Sequence, residues 1–312
     1  MVILLIKTIH WNNIRNSHVI LVGSCSIFTP PPPLHDKVPT LPPAVEAVVM
    51  TALTKDPQKR FASVTAFATA LEQASQKVYV IDDAESYGLL TANTFVAEWQ
   101  KLGGTVLGHS SEPSTTTSYI SLLTQIASQH PDVIYFGGLY STGGTLIRQQ
   151  MRQIPGLQNT PFASDDGIVT PNFASTIGLS GGPVYGTVAV VDTTTSSSAA
   201  NFRNQYAAVY GSSNLKAYSA AGYDATNILI QAIKLALING AHTPQNSSDT
   251  TGAQTFRQAV ISAIQGISYN GVTGHQAFDS NGDTTNKFIS MYQLALVDNN
   301  PGWKYITGVT VS

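Results

Sequence analysis

From Lys77 onward the chain alternates short apolar strands with segments of helical period, and this order limits the possible folds more than any other feature. "KVYVID" at 77–82 is an almost uninterrupted apolar run, the pattern of a strand buried on both faces. A helix over 88–102 follows and stops at "LGG", where Gly103 or Gly104 provides a left-handed cap. "TVLGH", "DVIYFGG", "PFAS" and "VYGTVAVV" read as further strands, with "SYISLLTQIASQH" and "TLIRQQMRQI" as helices among them. Strand–helix–strand units with short connections predict an α/β fold with a doubly wound parallel sheet. The remainder is mostly helical, over 218–239 and 253–266. It ends in a meander, "NGVTGHQAFDSNGDTTNKFISMYQLAL", with Asn-Gly turns expected at 270 and 281.

The first 76 residues follow a different pattern. Residues 30–43, "PPPPLHDKVPTLPP", hold too much proline for a helix and predict an extended segment. Val45, Val48, Val49, Ala52 and Leu53 then recur at helical spacing until Pro57 stops them. A second helix starts at Ser63, its N-cap, and lines up Val64, Phe67 and Leu71. Two such helices make a hairpin too small to fold alone. Residues 1–28 read as an irregular leader with two short apolar runs, "VILLI" and "HVILVGSCSIF". Neither approaches the roughly 18–20 apolar residues of a membrane-spanning helix. "VGSC", ending at Cys25, resembles a lipoprotein cleavage box; the alternative is one ordinary thiol.

Composition removes several function classes. Only 11% of the 312 residues are charged and the formal net charge is -2, with no Lys/Arg cluster, so nucleic acid is not an expected partner. A single cysteine permits no intrachain disulfide, zinc cluster or CxxC redox site. Seven histidines are scattered without metal spacing, and no cofactor or metal is expected.

The candidate chemical motifs mostly reduce to local structure. Asp82-Asp83 invites comparison with a response-regulator receiver, but the third strand ends in glycines where the phosphoacceptor would stand. The pair reads instead as two solvated loop carboxylates. "DSNGDTT" at 279–285 spaces acids like a calcium loop, yet Ser290 replaces the bidentate Glu at position twelve, leaving a turn. "YFGGLYSTGGTL" lacks both phosphate-binding fingerprints. No nucleophile elbow or other catalytic set is present, so no enzyme is expected. One place differs. Asp165 and Asp166 follow "PFAS" at the carboxyl end of a strand, where a doubly wound sheet presents its ligand crevice. Tyr87 and Tyr140 stand just past other strands of that sheet. Such a group suits a small cation or an amino group, but on spacing alone a purely structural role comes first.

Two resemblances add to this reading. Residues 29–75, with "ALTKDPQKRF", resemble the last part of a bacterial Ser/Thr protein kinase. In that family the arginine matching Arg60 pairs with the Glu of the A-P-E segment. The Gly-rich loop, strand lysine, H-R-D, D-F-G and A-P-E are all absent from this chain. Residues 77–312 resemble the branched-chain amino acid binding proteins of ABC transporters. The motifs are "KVYVIDDAESYG", "SEPSTTTSYISLLTQIASQHPDVIYFGG", "AAGYDATNILIQAI" and "YNGVTGHQAFDSNGD". This resemblance implies a type I periplasmic-binding fold, with 77–190 as lobe II and 191–312 as hinge crossings and part of lobe I. Lobe I is then incomplete, because a helical kinase-tail hairpin at 29–76 stands where the family has its first βα units.

The same resemblance implies the site. The carboxylate that holds the ligand's α-ammonium group falls on Asp166, beside Asp165, and the tyrosine of the "yG" turn falls on Tyr87. A family aromatic falls on Leu139, a departure, with Tyr140 next to it; the family's Asp in "ttDf" is Ser118 here. The implied ligand is a small amino acid or similar polar metabolite, bound weakly. Implied partners are an ABC transporter permease or a second copy of the chain, and the implied location is the cell exterior. The competing expectation is a catalytically dead kinase-sensor relic that acts only through protein association.

Overall fold

A computed structural model describes residues 32–36, 41, 43–54, 56–212 and 215–311. The leader, including Cys25, and half of the proline-rich segment 30–43 lie outside the described residues. The elements are α1 (Pro43–Ala52), α2 (Val64–Ser75), β1 (Lys77–Asp82), α3 (Ser86–Lys101), β2 (Thr105–Ser111), α4 (Ile120–Ala127), β3 (Val133–Gly137), α5 (Gly144–Met151), β4 (Phe162–Ser164), α6 (Pro171–Ile177), β5 (Val184–Val188), α7 (Ala200–Tyr210), α8 (Ser219–Ile238), α9 (Thr250–Gln265), β6 (Tyr269–Gly271), β7 (Gly274–Gln276), β8 (Phe288–Val297) and β9 (Asn300–Thr310).

The main sheet runs β2-β1-β3-β4-β5-β8-β9. The pairs β1–β2, β1–β3, β3–β4 and β4–β5 are parallel, as the alternating pattern predicts. Two compact units divide the chain. One holds the described residues up to Thr187 together with Met291–Lys304; the other holds the described residues of 188–290 and 305–311.

The core of the first unit follows from its strands. All five residues of β3 are buried, as are five of the six in β1. Ile81, Ile134, Phe136 and Phe162 pack against Leu123 and Ile126 of α4, Ile147 of α5 and Phe173 of α6. On the other face Phe95 of α3 stacks on Tyr135 with centroids 3.7 Å apart. Helix α3 ends in a Schellman motif: Gly103 N–H bonds the Gln100 carbonyl, Gly104 N–H bonds the Trp99 carbonyl, and Gly103 takes φ +87°.

The N-terminal hairpin forms as its spacing predicts. Ser63 Oγ accepts from Ala66 N at 3.0 Å, and Asp56 caps the 3-10 turn at Pro57–Lys59. The hairpin is continuous with the sheet. Gln76 is buried, its carbonyl accepts from Thr105 N at 2.8 Å, and Ala74 lies 3.8 Å beneath Gly103 as a Cβ there would meet it. Arg60 Nε donates to the Thr54 carbonyl at 2.7 Å.

Two sequence readings need correction. Asp82 and Asp83 are not solvated: they are 0% and 2% exposed. Asp82 accepts from Ala84 N, His109 Nε2 and Ser111 Oγ, while Asp83 accepts from Glu85 N and Thr142 Oγ1. The Asn270-Gly271 pair is not the hairpin turn. Both residues pair within β6, so Val272 and Thr273 make the turn, and Gly274 takes the positive φ. Gly271 is there because the Asp224 carboxyl approaches where a Cβ would stand. The meander ends in a β8–β9 hairpin that its sequence did not disclose, with Asp298 and Asn299 both at positive φ in the two-residue turn. The turn at 281 holds: Gly282 takes φ +85°, and Asp279 Oδ1 accepts from Asn281 N and Asp283 N.

In the second unit, α8 buries only Ala220, Asp224, Ile228, Ala232 and Ala236, a stripe at four-residue spacing that meets Val260 and Ala263 of α9. Tyr223, Leu229, Ile230, Leu237 and Ile238 remain exposed, as does Ile261 of α9.

The contact between α3 and β3 generates a prediction. A Cβ at Gly88 would overlap Asp83 Oδ1 and the Gly137 carbonyl oxygen, whereas one at Gly222 of α8 meets nothing within 4 Å. Gly88→Ala should cost about 2–3 kcal/mol by overpacking. Gly222→Ala should gain about 0.5–1 kcal/mol from helix propensity. Urea denaturation of the two variants checks both signs.

Candidate functional site

The carboxyl end of the parallel sheet gathers the candidate residues of the first unit. Strand β4 is only three residues long and ends at Ser164, so the chain turns at once through Asp165 into a 3-10 turn at Asp166–Ile168. Asp165 caps that turn: its Oδ1 accepts from Gly167 N at 2.9 Å. Gly167 belongs there because a Cβ would overlap the Gly138 carbonyl oxygen. These constraints seat Asp165 inward, 5% exposed, and leave Asp166 half-buried at the rim.

Tyr87 arrives from α3. Gly88 lets the first turn of that helix press on the end of β3, and the preceding residue, Tyr87, then reaches across to β4. Its hydroxyl donates to Asp166 Oδ1 at 2.7 Å. Burial first, then the hydrogen bond to Asp166 and the nearby Asp165 charge, raise the Tyr87 hydroxyl far above the ordinary tyrosine range. It therefore stays a donor at any physiological pH.

Asp165 is the unusual group. Its Oδ2 is buried and makes no hydrogen bond, and the buried Tyr135 hydroxyl next to it makes none either. Burial pushes the Asp165 carboxyl up to about 6, against the opposing pull of Gly167 N–H and Thr91; the Asp166 charge adds to the rise. Tyr135 is also raised, chiefly by burial and then by Asp165.

The other two expected residues, Leu139 and Tyr140, follow Gly138, whose carbonyl packs against Gly167 of the Asp166–Ile168 turn. Tyr140 sits in the turn after β3, and its hydroxyl accepts from Asn172 Nδ2 of α6 at 3.4 Å. Leu139 is exposed, and its N–H donates to Thr142 Oγ1. The structure brings together Tyr87, Asp165 and Asp166. Sequence reading missed Thr91 and Tyr135 beneath them. Thr91 stands one helical turn after Tyr87, and Tyr135 lies inside "DVIYFGG" as a polar tip in an otherwise apolar run, so both left a faint signal. Ser118 lies at the entry to α4, where its Oγ meets Ile120 N at 3.5 Å, a long capping contact.

A cavity of about 350 Å³ in the second unit is lined by Val190, Ala225, Ile228, Phe278 and Phe288 with Asp224 at its edge. Asp224 already accepts from Val272 N, Thr273 N and Thr273 Oγ1, so it offers a ligand little. Among the described residues no cluster of three or more His, Cys, Asp or Glu is arranged to hold a metal ion, and no helix is long and apolar enough to cross a membrane.

Known proteins agree with this architecture. The family model described as periplasmic binding protein matches residues 38–300, and the chain belongs to that family. An amino acid binding protein of Pseudomonas aeruginosa is 37% identical over 111 residues, which cover 36% of this chain and 28% of that protein. The serine/threonine-protein kinase PknJ of Mycobacterium tuberculosis is 49% identical over 55 residues, 18% of this chain and 9% of the kinase. These matched segments span well under half of either relative. In three dimensions the chain is similar to a leucine binding protein of Thermotoga maritima, with TM-score 0.58, 19% identity, and 88% of this chain and 91% of the other covered. That likeness establishes the type I fold.

The raised Asp165 carboxyl predicts a stability signature. A carboxyl whose folded pKa lies above the unfolded value stabilises the fold while protonated, and that contribution is lost as pH rises through about 6. Ionised Asp165 then costs up to about 3 kcal/mol. Asp165→Asn, which preserves an acceptor for Gly167 N–H, should be more stable than the parent at pH 8 by about 1–3 kcal/mol, with the difference gone by pH 4. Denaturant midpoints at the two pH values check this.

Proposed function

We propose that the chain binds a small ligand carrying an ammonium group, of the amino acid class, as a solute-binding protein acting outside the cytoplasmic membrane. The observation that carries this is the Tyr87–Asp166 pair at the open end of the sheet. The Tyr87 hydroxyl fixes Asp166 Oδ1 at 2.7 Å, and Asp166 is the residue of the pair left at the rim. A preset carboxylate at the edge of an apolar core offers a charge-assisted hydrogen bond, worth about 1.5–3 kcal/mol, without first having to order its own side chain. Relatives named for amino acid and leucine binding support the ligand class. An ABC transporter permease is the partner this reading implies. The segment similar to a kinase contributes packing to the first unit, and no phosphoryl transfer is assigned to it.

The test is calorimetric titration of the full chain with L-leucine. Asp166→Ala should weaken binding by at least about tenfold, while Glu98→Ala on the exposed side of α3 should leave it unchanged. Equal affinity in Asp166→Ala and the parent would remove the reading.

Association with a second copy is the alternative, and it rests on the apolar residues that α8 leaves exposed. Light scattering decides it: a dimer that dissociates on Ile230→Glu supports it, and a monomer at every concentration overturns it.

A further inference from the structure

Two carboxylates stand side by side in the proposed site, and only one has a role there. Asp166 is at the rim. Asp165 is buried behind it, held through Oδ1 by Gly167 N–H, with Oδ2 unpartnered. The Tyr87 hydroxyl lies between them, donating to Asp166 and within the field of Asp165. Beneath, the Thr91 hydroxyl faces both Asp165 and the buried Tyr135 hydroxyl. A buried carboxyl oxygen without a partner costs free energy on the order of 1–3 kcal/mol, and no turn or cap needs Oδ2. Asparagine, or a residue with a shorter side chain, would serve the turn as well.

We propose that Asp165 is a charge-selecting residue of this site. It is neutral when the site is empty at mildly acidic pH and gives up its proton as an ammonium group binds at Asp166. The inference rests on the reading of Asp166 given above. The physical basis is mutual stabilisation at short range in a poorly solvated setting. A cation at Asp166 favours the ionised form of its neighbour, and by linkage an ionised Asp165 strengthens the hold on the cation by the same factor. The titratable groups facing Asp165 are Asp166 on its own turn, Tyr87 from α3 and Tyr135 from β3. Both tyrosines are held neutral, so the two aspartates alone set the charge of the site. With both ionised the pair carries two negative charges toward one ammonium group. Such a site prefers a ligand of net positive charge over a zwitterion, and a zwitterion over an acid. The proton balance is closed: Asp165 O–H loses H⁺ to solvent as the ligand's ammonium group, unchanged, settles at Asp166.

The experiment uses the full chain with two probes, L-leucine and L-leucine amide, titrated between pH 5 and 7.5. The ammonium group of leucine keeps its charge throughout this range. Expected results are an affinity for leucine about tenfold higher at pH 7.5 than at pH 5, and a tighter hold on the amide than on leucine at about pH 6.5, where the amide's own ammonium group is still charged. Near pH 6 the binding heat should depend on the ionisation enthalpy of the buffer, which marks a released proton. Asp165→Asn should still bind both probes, with the pH dependence and the proton release lost and the preference for the amide reduced. Carbon-13 NMR of labelled aspartate carboxyls gives an independent reading, in which the Asp165 midpoint moves down in Asp166→Asn as well as with leucine. Binding in the parent that is flat with pH and insensitive to buffer overturns the role of Asp165 and leaves Asp166 standing. Binding that survives Asp166→Ala overturns the reading beneath it, as does the absence of any heat with either probe.

Discussion

The site depends on one backbone contact. Gly88, in the first turn of α3, and Gly137, at the end of β3, press against each other so closely that a side chain on either would overlap the other's carbonyl oxygen. Two glycines without side chains let a helix come down directly on a strand end, closer than ordinary helix–sheet packing allows. The consequence runs outward in sequence. The residue before Gly88 is Tyr87, which reaches Asp166; the residue four after it is Ala92, buried without exposure against the sheet. The same approach encloses Asp83, whose Oδ2 accepts from Thr142 Oγ1 and so fixes the turn that follows β3. One steric condition thereby orders three strand ends.

Those strand ends also share an electrostatic arrangement. Asp82, Asp83 and Asp165 are all buried at the carboxyl edge of the sheet. Burying a carboxylate costs free energy unless backbone N–H or side-chain donors replace water. Asp82 and Asp83 have such donors on both oxygens, so their burial is offset locally and they serve the turns. Asp165 has its backbone donor on one oxygen, while the other makes no hydrogen bond of normal geometry and has only the Thr91 and Tyr87 hydroxyls near the carboxyl. The difference between two satisfied acids and one less satisfied acid, on the same edge of the same sheet, is the physical ground for the role proposed for Asp165.

Much of this was legible in the sequence, and the exceptions share a cause. Parallel order, strand positions and the Gly103 cap follow from local pattern, because a strand buried on both faces must be apolar along its whole length. Tyr87 and Asp166 were identified from their places after strands and from family resemblance; their 2.7 Å bond needed the fold. Asp82-Asp83 was misread because solvation was inferred from charge alone, and the donors that bury it come from His109, Ser111 and Thr142, far along the chain. Gly271 was misread for the same reason: Asn-Gly looks like a turn until Asp224, 47 positions earlier in the numbering, is seen to occupy the space of its missing Cβ. Helices α6 and α7 left weaker signals, since α6 is seven residues long and α7 buries none of its residues.

The first 76 residues show how far similarity and structural role can diverge. By sequence the segment is similar to the end of a kinase, where the arginine matching Arg60 would meet an acidic partner. Here Arg60 Nε meets the Thr54 carbonyl inside its own loop, a contact that needs nothing outside the hairpin. At the other end, α2 runs into β1 with only Gln76 between them, and Gln76 is buried with its carbonyl bonded to the first residue of β2. A helix joined to a central strand by one residue has no freedom to swing, so its last turn becomes part of the layer it adjoins, as Ala74 beneath Gly103 shows. The family match beginning at residue 38 runs through this junction without interruption. Whatever the origin of the hairpin, its end is held by the sheet's own hydrogen bonds, and the abrupt change of pattern at Lys77 is a change of sequence character within one compact unit.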